Sequence, residues 1–95
     1  MRCSHLIISR HAIERMFQRS IPLEVVRHII ENGDCIATYP HDMPYLSQPM
    51  LGFEKGEPIH IAVARDEESG DCFVITVYRP ELAIWNDDFR TRREP

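Results

Sequence analysis

IHIAVAR at residues 59–65 and CFVITVY at residues 72–78 decide the fold of this chain. In the first, Ile59, Ile61 and Val63 alternate with His60, Ala62 and Ala64. In the second, Phe73, Ile75 and Val77 alternate with Val74, Thr76 and Tyr78. A period of two in β-branched and aromatic residues marks a strand with two unlike faces. Glu67 to Asp71, with Gly70, suits the hairpin loop between them. If Asp66 opposes Cys72, His60 opposes Tyr78 on a face shared with Thr76; a slip of one residue parts them.

Outward from this hairpin, further short strands are expected at 35–39 (CIATY) and 50–53, with Lys55-Gly56 as a turn. The three prolines between Pro40 and Pro49 predict loop or sheet edge. Upstream, SRHAIERMFQR at 9–19 has helical spacing. Ser9 is its N-cap, and Ala12, Ile13, Met16 and Phe17 form an apolar stripe. Pro22 suits the first turn of a second helix, whose stripe is Leu23, Val26, Ile29 and Ile30. Asn32-Gly33 is its stop, with Gly33 taking the left-handed conformation. Downstream, Arg79-Pro80 ends the last strong strand. LAIWNDDF reads as a short strand or helical turn, with Trp85 a core or lid residue. The class is therefore α+β: two N-terminal helices on an antiparallel sheet of about four strands.

At 95 residues the chain holds one domain, with 91–95 expected as a flexible tail. A core this small gains from dimerisation or from a partner protein. Cys3, Cys35 and Cys72 are odd in number, far apart and form no C-x-x-C pair, so they read as reduced thiols in a cytoplasmic protein. The patch Leu6 to Ile8 is too short for a signal sequence. No run approaches the roughly 18 apolar residues of a membrane span.

Net charge is −4, which argues against a broad nucleic-acid-coating surface but leaves room for a local basic cleft. All the basic residues except Lys55 are Arg, whose planar fork matches phosphates and carboxylates. His11, Arg15 and Arg19 fall at i, i+4 and i+8 on the first helix. They line one edge as a proton shuttle beside anion binders, or else as a solvated helix face. His60 and Tyr78 with Arg79 nearby contain an acid/base and an anion binder, or else a Tyr and a His capping the open end of a core. The five histidines show no metal-ligand spacing and the four glycines no phosphate-cradling loop, so neither a metal nor a cofactor is expected.

Three segments together resemble the bacterial domain of unknown function 4258 family: SRHAIERMFQRSI, IENGDCIATYPHDMPYLSQPMLGFEKGEPIHIAVARD and VITVYRPELAIWNDDFRTR. Members look similar to the barnase/RelE-like ribonuclease toxin fold, in which N-terminal helices pack on a curled antiparallel sheet. Some are encoded beside a zinc-finger antitoxin of the MqsA type. The resemblance thus implies an RNA-cleaving toxin neutralised by a partner protein. Its HA-x-x-R-M segment falls on His11, Ala12, Arg15 and Met16, its TVY-x-P segment on Thr76, Val77, Tyr78 and Pro80, and its histidine before the apolar run on His60. Metal-independent RNA cleavage needs a base for the 2′-hydroxyl, an acid for the leaving 5′-oxygen and cations on the phosphate. His11 and His60 are the candidate base and acid, Tyr78 a donor, and Arg15, Arg19 and Arg79 the phosphate binders. The alternative is a non-catalytic interaction module that recruits another chain by strand addition or helix docking.

Overall fold

The computed structural model describes residues 1–37 and 46–94. The proline-rich segment up to Tyr45, and the end of the strand expected at 35–39, lie outside the described residues. The chain forms β1 (Leu6–Ile8), α1 (Arg10–Gln18), α2 (Leu23–Asn32), β2 (Asp34–Cys35), β3 (Leu46–Glu54), β4 (Glu57–Arg65) and β5 (Cys72–Tyr78). The α+β class holds, but the sheet is mixed and five-stranded, in the order β1-β5-β4-β3-β2. The additional strand is Leu6–Ile8, an apolar patch with no turn partner nearby. It pairs in parallel with β5 through Leu6↔Cys72 and Ile8↔Val74.

That pairing also corrects the cysteine assignment. With β1 beside β5, Cys3 and Cys72 come within 5.5 Å between Cα atoms and form a disulfide across 69 residues. Cys35, which is exposed, stays outside the disulfide. Sequence spacing could not show this, because the link depends on a parallel pairing of distant segments.

The helices follow the local rules with two corrections. Ser9 caps α1, its hydroxyl accepting from the Ala12 N–H at 3.0 Å. Of the expected stripe, Ala12 and Met16 are buried, whereas Ile13 and Phe17 turn to solvent, Phe17 with 84% of its surface exposed. Gly33 ends α2 in extended backbone rather than the left-handed region (φ −74°, ψ 179°). Its requirement is space, since a Cβ would lie 2.5 Å from the Ile29 carbonyl oxygen and 2.6 Å from that of Leu51. Lys55 and Gly56 both take positive φ and turn β3 into β4 through a two-residue loop, as the sequence implied. Pro49 is tolerated within β3 because β2 spans only two residues. Its carbonyl accepts from the Ile36 N–H beyond the end of β2.

One face of the sheet builds the core. Ile59, Ile61 and Val63 of β4, with Met50 of β3, pack under Ala12, Met16, Val26, Ile29 and Ile30 of the helices. On β5 the inward residues are Cys72, Val74 and Val77, a spacing that strict alternation forbids. A bulge explains it: Val63 pairs with Val74 but Ala62 with Thr76, leaving Ile75 as the extra residue. The hairpin closes with Arg65, not Asp66, opposite Cys72. Continued without interruption, that register would set His60 against Val77. The bulge adds one residue and delivers His60 to Tyr78.

Candidate functional site

The face of the sheet away from the helices carries His60, Ala62, Thr76 and Tyr78, and a C-terminal hairpin lies against it. That hairpin is built from its own backbone: Trp85 bridges Arg92, the Asn86 N–H donates to Thr91, and the Arg93 N–H donates to Ile84. Residues 91–93, read from sequence as tail, are thus half of a ladder. The Asp88 carboxylate accepts from the Arg90 and Thr91 N–H groups, which hold its pKa below the usual carboxylate value.

His60 is completely buried between sheet and hairpin, a place where an imidazole is tolerated only with both nitrogens satisfied. Its Nε2 lies 2.7 Å from the Phe89 carbonyl oxygen and its Nδ1 lies 2.9 Å from the Tyr78 hydroxyl. A carbonyl only accepts, so Nε2 carries the proton and Nδ1 accepts from Tyr78. Burial pushes the His60 pKa down, with the Phe89 carbonyl opposing it in part, so the ring is neutral. Trp85 stands edge-on to His60, ring centroids 4.5 Å apart at 88°, and Tyr78 does so at 5.2 Å and 75°. Phe89 presents its carbonyl from the left-handed region (φ 55°), a conformation that costs a bulky residue roughly 1 kcal/mol or more. The surrounding hydrogen bonds hold that conformation in place.

Beside this pair opens a cavity of about 410 Å³. Pro49 and Ala62, cross-strand partners, line it together with Ile36, Ala37, Tyr78 and Trp85, and Arg90 and Arg92 complete the rim. A larger groove of about 510 Å³, between α1 and the start of α2, is walled mainly by Ile13, Phe17 and Leu23 and offers no titratable side chain. Of these two, only the first is lined by titratable side chains.

The residues singled out from sequence do not all gather there. His60 and Tyr78 meet, but through the bulge in β5 and not through the expected pairing of Asp66 with Cys72. His11 reaches their face from α1, its Nε2 3.1 Å from the Thr76 hydroxyl, and Thr76 is two residues from Tyr78 on the same side of β5. Arg15 donates to Gln18 along its own helix at 2.6 Å. Arg79 is a tie between elements, donating to the Glu57 carboxylate and to the Arg19 carbonyl, both at 3.3 Å. Trp85, Phe89, Arg90 and Arg92 complete the site without having been assigned to it. Their only sequence signal is the interleaving of aromatic and Arg residues in WNDDFRTR. Among the described residues no group of three or more His, Cys, Asp or Glu side chains could hold a metal ion. No helix among them is long and apolar enough to cross a membrane.

Fold and site together define a small α+β domain whose mixed sheet carries a buried His60 hydrogen-bonded to a half-buried Tyr78 beside an Arg-rimmed cavity. Residues 8–79, about three quarters of the chain, match the family described as domain of unknown function (DUF4258), and the chain belongs to that family. No curated protein and no solved structure matches it. The matched stretch contains His11, His60 and Tyr78 and ends before the hairpin that supplies Trp85 and the two rim arginines.

Proposed function

We propose that this protein is a metal-independent ribonuclease of a bacterial toxin–antitoxin system, cutting single-stranded RNA at the cavity of Tyr78, Arg90 and Arg92. The observation that carries the proposal is the Tyr78 hydroxyl, backed by a neutral, buried His60 at a cavity with two guanidinium groups on its rim. In the reaction the RNA 2′-hydroxyl gives its proton to the Tyr78 oxygen as the Tyr78 proton passes to Nδ1 of His60. The freed 2′-oxygen bonds to phosphorus and the bond to the 5′-oxygen breaks. His11, exposed on the same face, protonates that leaving oxygen. The rim guanidinium groups balance the charge that builds on the phosphate. Tyr78 and His11 touch substrate. His60 is a positioning residue that takes the proton without contacting RNA. Arg15 and Arg19 continue the basic edge of α1 beyond His11 for flanking phosphates. A zinc-finger antitoxin is the partner expected to cover the site.

The test is cleavage of a defined RNA oligonucleotide in EDTA. Wild type is expected to leave 2′,3′-cyclic phosphate ends. Tyr78→Phe, with its fold checked by circular dichroism, is expected to lose roughly 100-fold or more of the rate. RNA left intact by the wild type, or cut equally by Tyr78→Phe, would overturn the proposal.

One observation favours a second reading, a non-catalytic interaction module: the apolar groove around Phe17, which no described residue covers. It predicts a co-purifying partner, no RNA cleavage, and loss of the complex in Phe17→Ser.

A further inference from the structure

We infer that Arg92, held over the ring of Trp85, is the anion seat of the cavity and takes one phosphodiester of single-stranded RNA; the RNA part rests on the ribonuclease proposal. The two rim arginines are not equivalent. Arg90 is already paired with the Asp34 carboxylate across the sheet edge. Arg92 forms no ion pair among the described residues, and its guanidinium carbon sits 5.6 Å from the centroid of the Trp85 ring. A guanidinium resting on an aromatic ring is partly stripped of water while its N–H donors stay available to an oxyanion.

The support beneath it is rigid. Trp85 and Arg92 face each other across the hairpin bridge, flanked by the Asn86–Thr91 and Arg93–Ile84 backbone hydrogen bonds. Trp85 in turn stands against His60, which is fixed by Phe89 and Tyr78. The ring that Arg92 rests on is therefore in place before any ligand arrives, which lowers the ordering cost of binding. The cavity volume falls within the range of small-ligand sites. Tyr78 lines the same cavity, so a phosphate on Arg92 sits beside the hydroxyl to which the cleavage chemistry is assigned.

Trp85 is the only tryptophan, so intrinsic fluorescence reports on this cavity. The full chain would be titrated in EDTA with inorganic phosphate, with uridine 3′-monophosphate and with a 2′-deoxy oligonucleotide that cannot be cleaved by 2′-oxygen attack. A saturable change is expected with the nucleotide and the oligonucleotide. Arg92→Gln should weaken both at least tenfold, and Arg92→Lys, which keeps the charge and loses the fork, should fall between. Unchanged affinity in Arg92→Gln, or no saturation by any probe at millimolar concentration, would overturn the inference. Binding of inorganic phosphate as tight as that of the oligonucleotide would overturn the assignment to RNA. Arg92-dependent binding without RNA cleavage would support the seat and defeat the ribonuclease proposal. Cleavage unaffected by Arg92→Gln would do the reverse.

Discussion

Acidification should destabilise this protein through one side chain, His60. Burial holds its pKa below 6.5 in the native state, so the native ring stays neutral at pH values where the unfolded ring is charged. The stability this supports is fully present above about pH 6.5 and declines as pH falls toward the native pKa, because the unfolded state then binds a proton that the native state refuses. Within that window the loss is up to about 1.4 kcal/mol per pH unit. A slope of that size matters against the 5–15 kcal/mol typical of a domain. The experiment is urea denaturation of the wild type and of His60→Gln at half-unit steps from pH 7.5 to 5. Gln retains a donor and an acceptor but does not titrate, and all other groups are common to both proteins. The difference in stability should shrink as pH falls, since only the wild type carries the His60 penalty. Parallel curves would refute the reasoning, because they would mean that native His60 titrates as it does in the unfolded chain.

Two further predictions concern the scaffold. The Cys3–Cys72 bond closes a loop of 69 residues, so chain entropy puts its contribution at about 4 kcal/mol. Non-reduced protein should take up one alkyl group, on Cys35, and reduced, unfolded protein three; a drop in the urea midpoint on adding dithiothreitol measures the stability. Gly52→Ala would set a Cβ 2.4 Å from Cγ1 of Ile29 and should cost about 1–3 kcal/mol. Paired with Ile29→Ala, the same change should cost much less, a coupling read directly from a double-mutant cycle.

Local chemistry was legible wherever one segment sets its own structure. Ser9 as a cap, the Lys55-Gly56 turn and the alternation of β4 all follow from residues within a few positions of one another. The meeting of His60 and Tyr78 was legible as well, but by a different route from the simple hairpin register. The loop closes one residue earlier, and the bulge at Ile75 restores the offset. A bulge leaves little trace in a run such as CFVITVY, where every residue suits a strand. What stayed illegible is non-local. Leu6–Ile8 becomes a strand only because β5 offers a parallel edge, and Cys3 finds Cys72 for the same reason. Ile13 and Phe17 fit the helical stripe but point past the edge of the core, since the burying surface covers only the arc of Ala12 and Met16. The hairpin bearing Arg90 and Arg92 has too little apolar character to announce itself, and its role appears only once His60 is seen to need the Phe89 carbonyl.

The protonation state of His60 tests the central claim most directly, because the proton path, the hairpin's position and the placement of Trp85 all depend on it. Long-range ¹H–¹⁵N correlation of the imidazole at pH 7 should show a neutral ring protonated at Nε2, with Nδ1 bare and its shift perturbed in Tyr78→Phe. A ring protonated at Nδ1, or a charged ring exchanging freely with water, would contradict the account.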